Sequence, residues 1–109
     1  MSELLQQGEL ATLSRRVAEA RIRDCVQTVA IEDGVVLARV LGRNKMFLST
    51  RDLGLSCHLM LDGFWEIWLT LFFASVVKPG MTVIDVGANM GYYTVLLGDI
   101  VGARGRVEA

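Results

Sequence analysis

A compact β-branched run, Thr82-Val83-Ile84-Asp85-Val86, leads directly into Gly87-Ala88-Asn89-Met90-Gly91 and then a helical stretch, Tyr92 to Val101. No other part of the chain limits the fold so tightly. A short run of this composition reads as a parallel strand buried on both faces. Gly105 opens another strand, Arg106 to Ala109, so the order is strand, glycine loop, helix, strand. That is a βαβ unit with an expected right-handed crossover, which makes the fold class α/β.

In open α/β sheets, ligands bind where a glycine-containing loop leaves the carboxyl end of a strand. Glycine there lets a ligand approach the backbone without a Cβ in the way. The nicotinamide-dinucleotide fingerprint is G-x-G-x-x-G, with the diphosphate on the helix N-terminus. Here Asn89 stands where the middle glycine belongs, and the third-glycine spacing is missing. Asp85 also lies two residues before the first glycine. A carboxylate there repels a diphosphate and attracts a cation. S-adenosylmethionine (SAM) carries an ammonium and a sulfonium and no phosphate. Charge therefore favours SAM over NAD.

The chain upstream has a different texture. Residues Ser2 to Asp24 read as an amphipathic helix, with Leu10, Leu13, Val17 and Ala20 on one stripe. Its other face carries Arg15, Arg16, Glu19, Arg21 and Arg23, and Arg15 and Arg23 each lie four residues from Glu19. From Cys25 the pattern becomes three short strands, Val26–Ile31, Val35–Leu41 and Lys45–Thr50. Glu32-Asp33-Gly34 and Gly42-Arg43-Asn44 are the turns of an antiparallel meander. Arg51 to Leu61 reads as loop. Asp62 is placed to cap a helix through Trp65, Trp68, Leu69, Phe72 and Val76. Apolar residues occupy nearly its whole circumference, so burial against a large neighbour is expected. Lys78 suits its negative C-terminal end, and Pro79-Gly80 stops it.

Composition excludes several classes of function. Net charge is −1 over 109 residues, with 11 basic and 12 acidic side chains, so a nucleic-acid footprint is lacking. The apolar fraction of 52% is high for a chain that buries only about 60% of its unfolded surface. The longest apolar run, Ile67 to Val77, falls well short of the ~20 residues of a membrane span. MSELLQQGEL has no secretory pattern, and a cytosolic location is expected. Cys25, Cys57 and the single histidine, His58, lack zinc-ligand spacing, so no metal site is assigned.

The stretch KPGMTVIDVGANMGYYT resembles motif I of the class I methyltransferases, in the form typical of the FkbM family. TRDLGLSCHLMLDGFWEIW upstream and GDIVGARGRV downstream resemble the regions flanking that motif, so the likeness covers roughly Val35 onward. The resemblance implies a Rossmann-like SAM-binding domain beginning at residues 61–109. An N-terminal helix and meander over 1–60 precede it. It implies that Asp85 meets the methionine portion of SAM, and that Gly87, Ala88, Asn89 and Gly91 wrap the cofactor. Tyr92 and Tyr93 open the helix near the SAM carboxylate, and Glu66 faces the pocket. Plain structural roles compete at each position: Asn89 tolerates left-handed backbone, the tyrosines pack, and Glu66 starts a helix.

A whole class I fold has seven strands, and this sequence stops inside the second. The family's ribose-holding acid would come later; Glu108 falls within the strand, not at its tip, and does not take the role. The expected reaction of the full fold is methyl transfer from SAM to a hydroxyl of a sugar or other small molecule, with no residue assigned as base. Uncovered apolar faces predict association, so a homo-oligomer is one expectation, with the meander a candidate for dimerisation or substrate choice. Two alternatives stay open: a nicotinamide-dependent oxidoreductase fragment and a non-catalytic interaction module.

Overall fold

A computed structural model describes residues 3–109. After a 3-10 turn over Glu9–Thr12 come α1 (Arg15–Asp24), β1 (Thr28–Glu32), β2 (Val35–Val40), β3 (Asn44–Ser49) and α2 (Leu55–Leu61). They are followed by α3 (Ile67–Val76), β4 (Thr82–Ile84), α4 (Tyr92–Val101) and β5 (Arg106–Glu108). The chain is thus an α/β fold with two sheets. One is an antiparallel meander in the order β1-β2-β3, and the other is a parallel pair, β4-β5.

The first helix is shorter than its sequence pattern suggests. Gly8 is left-handed (φ 81), Leu13 is extended, and Ser14 caps α1 by accepting from the Val17 N–H at 3.4 Å. Starting at Ser14 resets the helical phase. Ala18 and Ile22 are fully buried, whereas Val17 is 44% exposed and Ala20 faces solvent. The expected stripe is therefore corrected by one residue. Leu10 and Leu13, outside the helix, still pack against the cluster formed by Leu5, Ile22, Phe64 and Ile67. Arg15 pairs with Glu19 at 3.6 Å, but Arg23 instead reaches Asp62 at 3.1 Å and lies over the Phe64 ring.

The meander follows the expected alternation. Ala38, Val40, Met46 and Leu48 turn inward and are buried. Leu41 and Gly42 close the second hairpin with φ of 57° and 75°, and the Leu41 N–H donates to Gly63 O at 2.8 Å. This bond ties the hairpin to the segment before α3. The inward residues share a core with Leu59 of α2 and with Tyr92 and Leu96 of α4.

Two readings of the middle of the chain need correction. The expected loop Arg51–Leu61 contains α2, because the Asp52 carboxylate accepts from the Gly54 and Ser56 N–H groups at 2.9 and 3.3 Å and so caps the turn. These amides hold the Asp52 carboxyl below its usual range, with the Gly54 N–H contributing most. Asp62 ends α2 rather than starting the next helix. α3 begins at Ile67, after Glu66 in a left-handed conformation (φ 43, ψ 65).

Burial of the βαβ segment is also lower than expected. The pairing is parallel, but Ile84 is 74% and Val86 91% exposed. Val83 and Val107 pack on Phe73, Val77, Leu97 and Val101, so the helices cover one face of the two-stranded sheet and leave the other bare. α3 likewise shows solvent a row of Trp68, Phe72 and Val76, which overturns its expected all-round burial. Trp65 does pack against the main core. No helix among the described residues is long and apolar enough to cross a membrane.

The reset phase of α1 is testable by denaturant unfolding. Ile22→Ala should cost about 2–5 kcal/mol, and Val17→Ala should stay within about 0.5 kcal/mol.

Candidate functional site

β4 delivers Asp85 to the tip of the parallel pair, where its N–H donates to Glu108 O at 2.7 Å. The chain then turns through a loop with three left-handed residues, Gly87 (φ 71), Asn89 (φ 55) and Gly91 (φ 101). Asparagine is the side-chain-bearing residue that most readily accepts this conformation. A Cβ placed on Gly87 or Gly91 would meet nothing within 4 Å, so the outer side of the loop is open. Ala88 O accepts from Gly91 N–H at 3.0 Å and closes the turn. Met90 points the other way. It packs against the main core, with its sulfur 3.9 Å from the buried Ser56 hydroxyl, and so fastens the loop to the start of α2.

The first turn of α4 organises everything around the loop. Gly91 O accepts the first ladder bond from Val95 N–H, leaving the amides of Tyr92, Tyr93 and Thr94 at the positive end of the helix dipole. Their side chains diverge. Tyr92 is buried, and its hydroxyl lies 2.8 Å from Thr70 Oγ1, which donates to Trp65 O at 2.8 Å. Thr70 has one hydroxyl proton, so Tyr92 is the donor to Thr70. Tyr93 donates to Glu66 Oε1 at 2.6 Å and stands edge-on to the Phe73 and Tyr92 rings. Thr94 donates to Asp85 Oδ2 at 2.7 Å.

Two carboxylates, Asp85 and Glu66, are thereby held against adjacent residues of one helix start. Among the described residues neither forms a salt bridge. Two acids without an ion-pair partner beside the first amides of α4 suit a ligand with both an ammonium and a carboxylate. Glu66 takes a left-handed backbone that a side chain other than asparagine or aspartate rarely adopts, and its carbonyl still accepts from Leu69 and Thr70 N–H at 2.9 Å. Glu108 turns to Arg106 and stays on the strand.

Of the residues singled out in the sequence, Asp85, Gly87, Ala88, Asn89 and Gly91 form the strand tip and loop. Tyr93 and Glu66 join them as a bonded pair. Tyr92 goes to the core and is buried as a whole residue. Thr94 and Thr70 hold the arrangement and were not foreseen. Their only signal is spacing: Thr94 is the third residue of α4, on the side facing the strand tip. A cavity of about 660 Å³ lies at the opposite end of α4, between Gly102, Lys78, Pro79 and Gln7, and none of the foreseen residues lines it. Among the described residues no group of three acids, cysteines or histidines could hold a metal. Comparison with protein-family models, curated proteins and solved structures finds no match.

Burial pushes the Tyr92 phenol up to about 12. Burial and then the Glu66 hydrogen bond and charge lift Tyr93 well above its usual range. These are the chain's two tyrosines. A raised folded-state pKa contributes stability that is complete below the unfolded value, near 10, and is lost as pH climbs through the folded one. Tyrosinate absorbance should therefore stay absent from the native protein as pH passes about 10 and appear together with alkaline unfolding.

Proposed function

We propose that the β4–loop–α4 edge is the methionine-binding side of a SAM-dependent methyltransferase site in a Rossmann-like domain. The observation that carries this reading is the Asp85–Thr94 bond at the strand tip, beside a loop whose left-handed residues leave its outer side free. In this reading Asp85 and Glu66 attract the ammonium and sulfonium end of the cofactor. The amides of Tyr92 to Thr94 receive its carboxylate, and Gly87 to Gly91 pass close to the nucleoside. Charge supports SAM over a dinucleotide, since both acids flank the place a diphosphate would take.

The resemblance to the FkbM family extends the proposal to O-methylation of a sugar or other small-molecule hydroxyl. Bound SAM would supply a sulfonium methyl group for transfer to the acceptor oxygen, leaving S-adenosylhomocysteine as the neutral thioether, with the hydroxyl proton released to water. Positioning of the acceptor in line with the methyl supplies most of the rate. The exposed row Trp68, Phe72 and Val76 favours a second reading, a docking module without catalysis.

Residues 1–109 present one side of such a site, so affinity weaker than micromolar is expected, and calorimetry should show no micromolar SAM binding. Amide-resolved NMR at millimolar ligand detects weaker contact. S-adenosylhomocysteine should shift the amides of Gly87 to Thr94, NADH should not, and Asp85→Asn should weaken the response about ten-fold. Shifts with NADH alone would overturn the cofactor assignment. Silence with both ligands would leave the docking reading.

A further inference from the structure

The recess of about 660 Å³ at the C-terminal end of α4 has no part in the candidate site. Its volume falls among small-molecule sites, which run from about 300 to 1,000 Å³. Its floor is apolar, formed by the buried residues Ala74, Val77, Leu96 and Val101. Gly8 and Gly80 stand in its walls, and a Cβ on either would meet nothing within 4 Å, so the walls stand back there.

The charged groups of the lining are unevenly satisfied. Arg43 and Asp99 form an ion pair at 2.9 Å, and Arg43 also donates to Leu5 O at 3.1 Å. Gln7 Nε2 donates to Asp99 O at 2.8 Å and pins the N-terminal segment as one wall. Lys78 and Arg104 are exposed, and neither forms an ion pair among the described residues. They stand on two turns, closed by Met81 N–H to Lys78 O at 3.2 Å and by Gly105 N–H to Gly102 O at 3.0 Å. Gly80 N–H donates to Val101 O at 2.8 Å and Arg106 N–H to Met81 O at 3.0 Å, which locks the turns side by side. Two cations therefore share one rim of an apolar recess.

The C-terminal ends of α3 and α4 oppose an anion here, each with about half a negative charge. Three cations and one anion line the recess, a net charge of +2, so the rim stays positive. Carbonyls at those helix ends are also occupied: Ser75 O accepts from Lys78 Nζ at 2.8 Å, Asp99 O from Gln7 and Val101 O from Gly80.

We infer that this recess is a second binding site, for a small amphipathic anion. Its apolar body lies on the floor between α3 and α4, and its acid group meets Lys78 and Arg104. None of Asp85 to Thr94 lines it, so the inference does not depend on the cofactor reading.

Amide-resolved NMR of the full chain tests it, with decanoate as the probe. Millimolar decanoate should shift the amides of Gly8, Gly80, Gly102 and Arg104 and leave Gly87 to Thr94 unmoved. Decyltrimethylammonium should not produce these shifts. Decanol should bind about ten-fold more weakly than decanoate, since two exposed ion pairs are each worth about two- to five-fold. Lys78→Gln with Arg104→Gln should cost decanoate the same factor and leave decanol unchanged. Ala74→Leu should fill the floor and weaken both probes; the two surface variants test the site even where that core variant fails to fold. No shift with decanoate, equal binding of the ammonium probe, or indifference to the double variant would each overturn the proposal. So would shifts centred on Trp68, Phe72 and Phe47, the mark of adsorption to exposed apolar side chains.

Discussion

A phenol hydroxyl removed from water must find a partner inside the protein or lose the stability of a hydrogen bond. Tyr92 meets this requirement through Thr70, and Thr70 in turn through the Trp65 carbonyl, so one relay joins the start of α4 to the start of α3. Successive residues on a helix point about 100° apart. With Tyr92 fixed in the core, Tyr93 is directed to Glu66 and Thr94 to Asp85. The placement of both carboxylates thus follows from the anchoring of a single ring. The glycine loop inherits its position from the same point, since it ends where α4 begins.

The parts of the fold that were legible in the sequence are those set by local chemistry. Asp33-Gly34 and the apolar alternation on either side specify the meander, and the β-branched run ending in a glycine turn specifies the parallel pair. Helix boundaries were less legible, because caps compete. Ser14 starts α1 in place of an earlier residue, and Asp52 nucleates a turn within a stretch that has little helical periodicity. Burial was least legible. Trp68 and Ile84 are as apolar as core residues, but whether they are covered depends on what packs there, and both are exposed.

The candidate site divides in the same way. Asp85 and the loop glycines stand out because a carboxylate followed by left-handed turns is unusual in any sequence. Thr94 and Thr70 do not, since a hydroxyl on a helix is common and gains its role only when a strand tip or a phenol comes within 3 Å. The left-handed backbone at Glu66 could not be read at all, because it is imposed by the junction between two helices. Leu41 is a similar case: a buried leucine with positive φ, held by a bond to Gly63 that lies far along the chain.

Met90 gives the loop a particular mechanical character. An unbranched thioether has several rotatable bonds and fills an irregular slot in more than one rotamer. Met90 packs on the main core with its sulfur beside Ser56, so the loop is held at this point by a side chain that can change rotamer without leaving its slot. A β-branched valine in the same slot would have fewer side-chain rotamers with which to keep that contact.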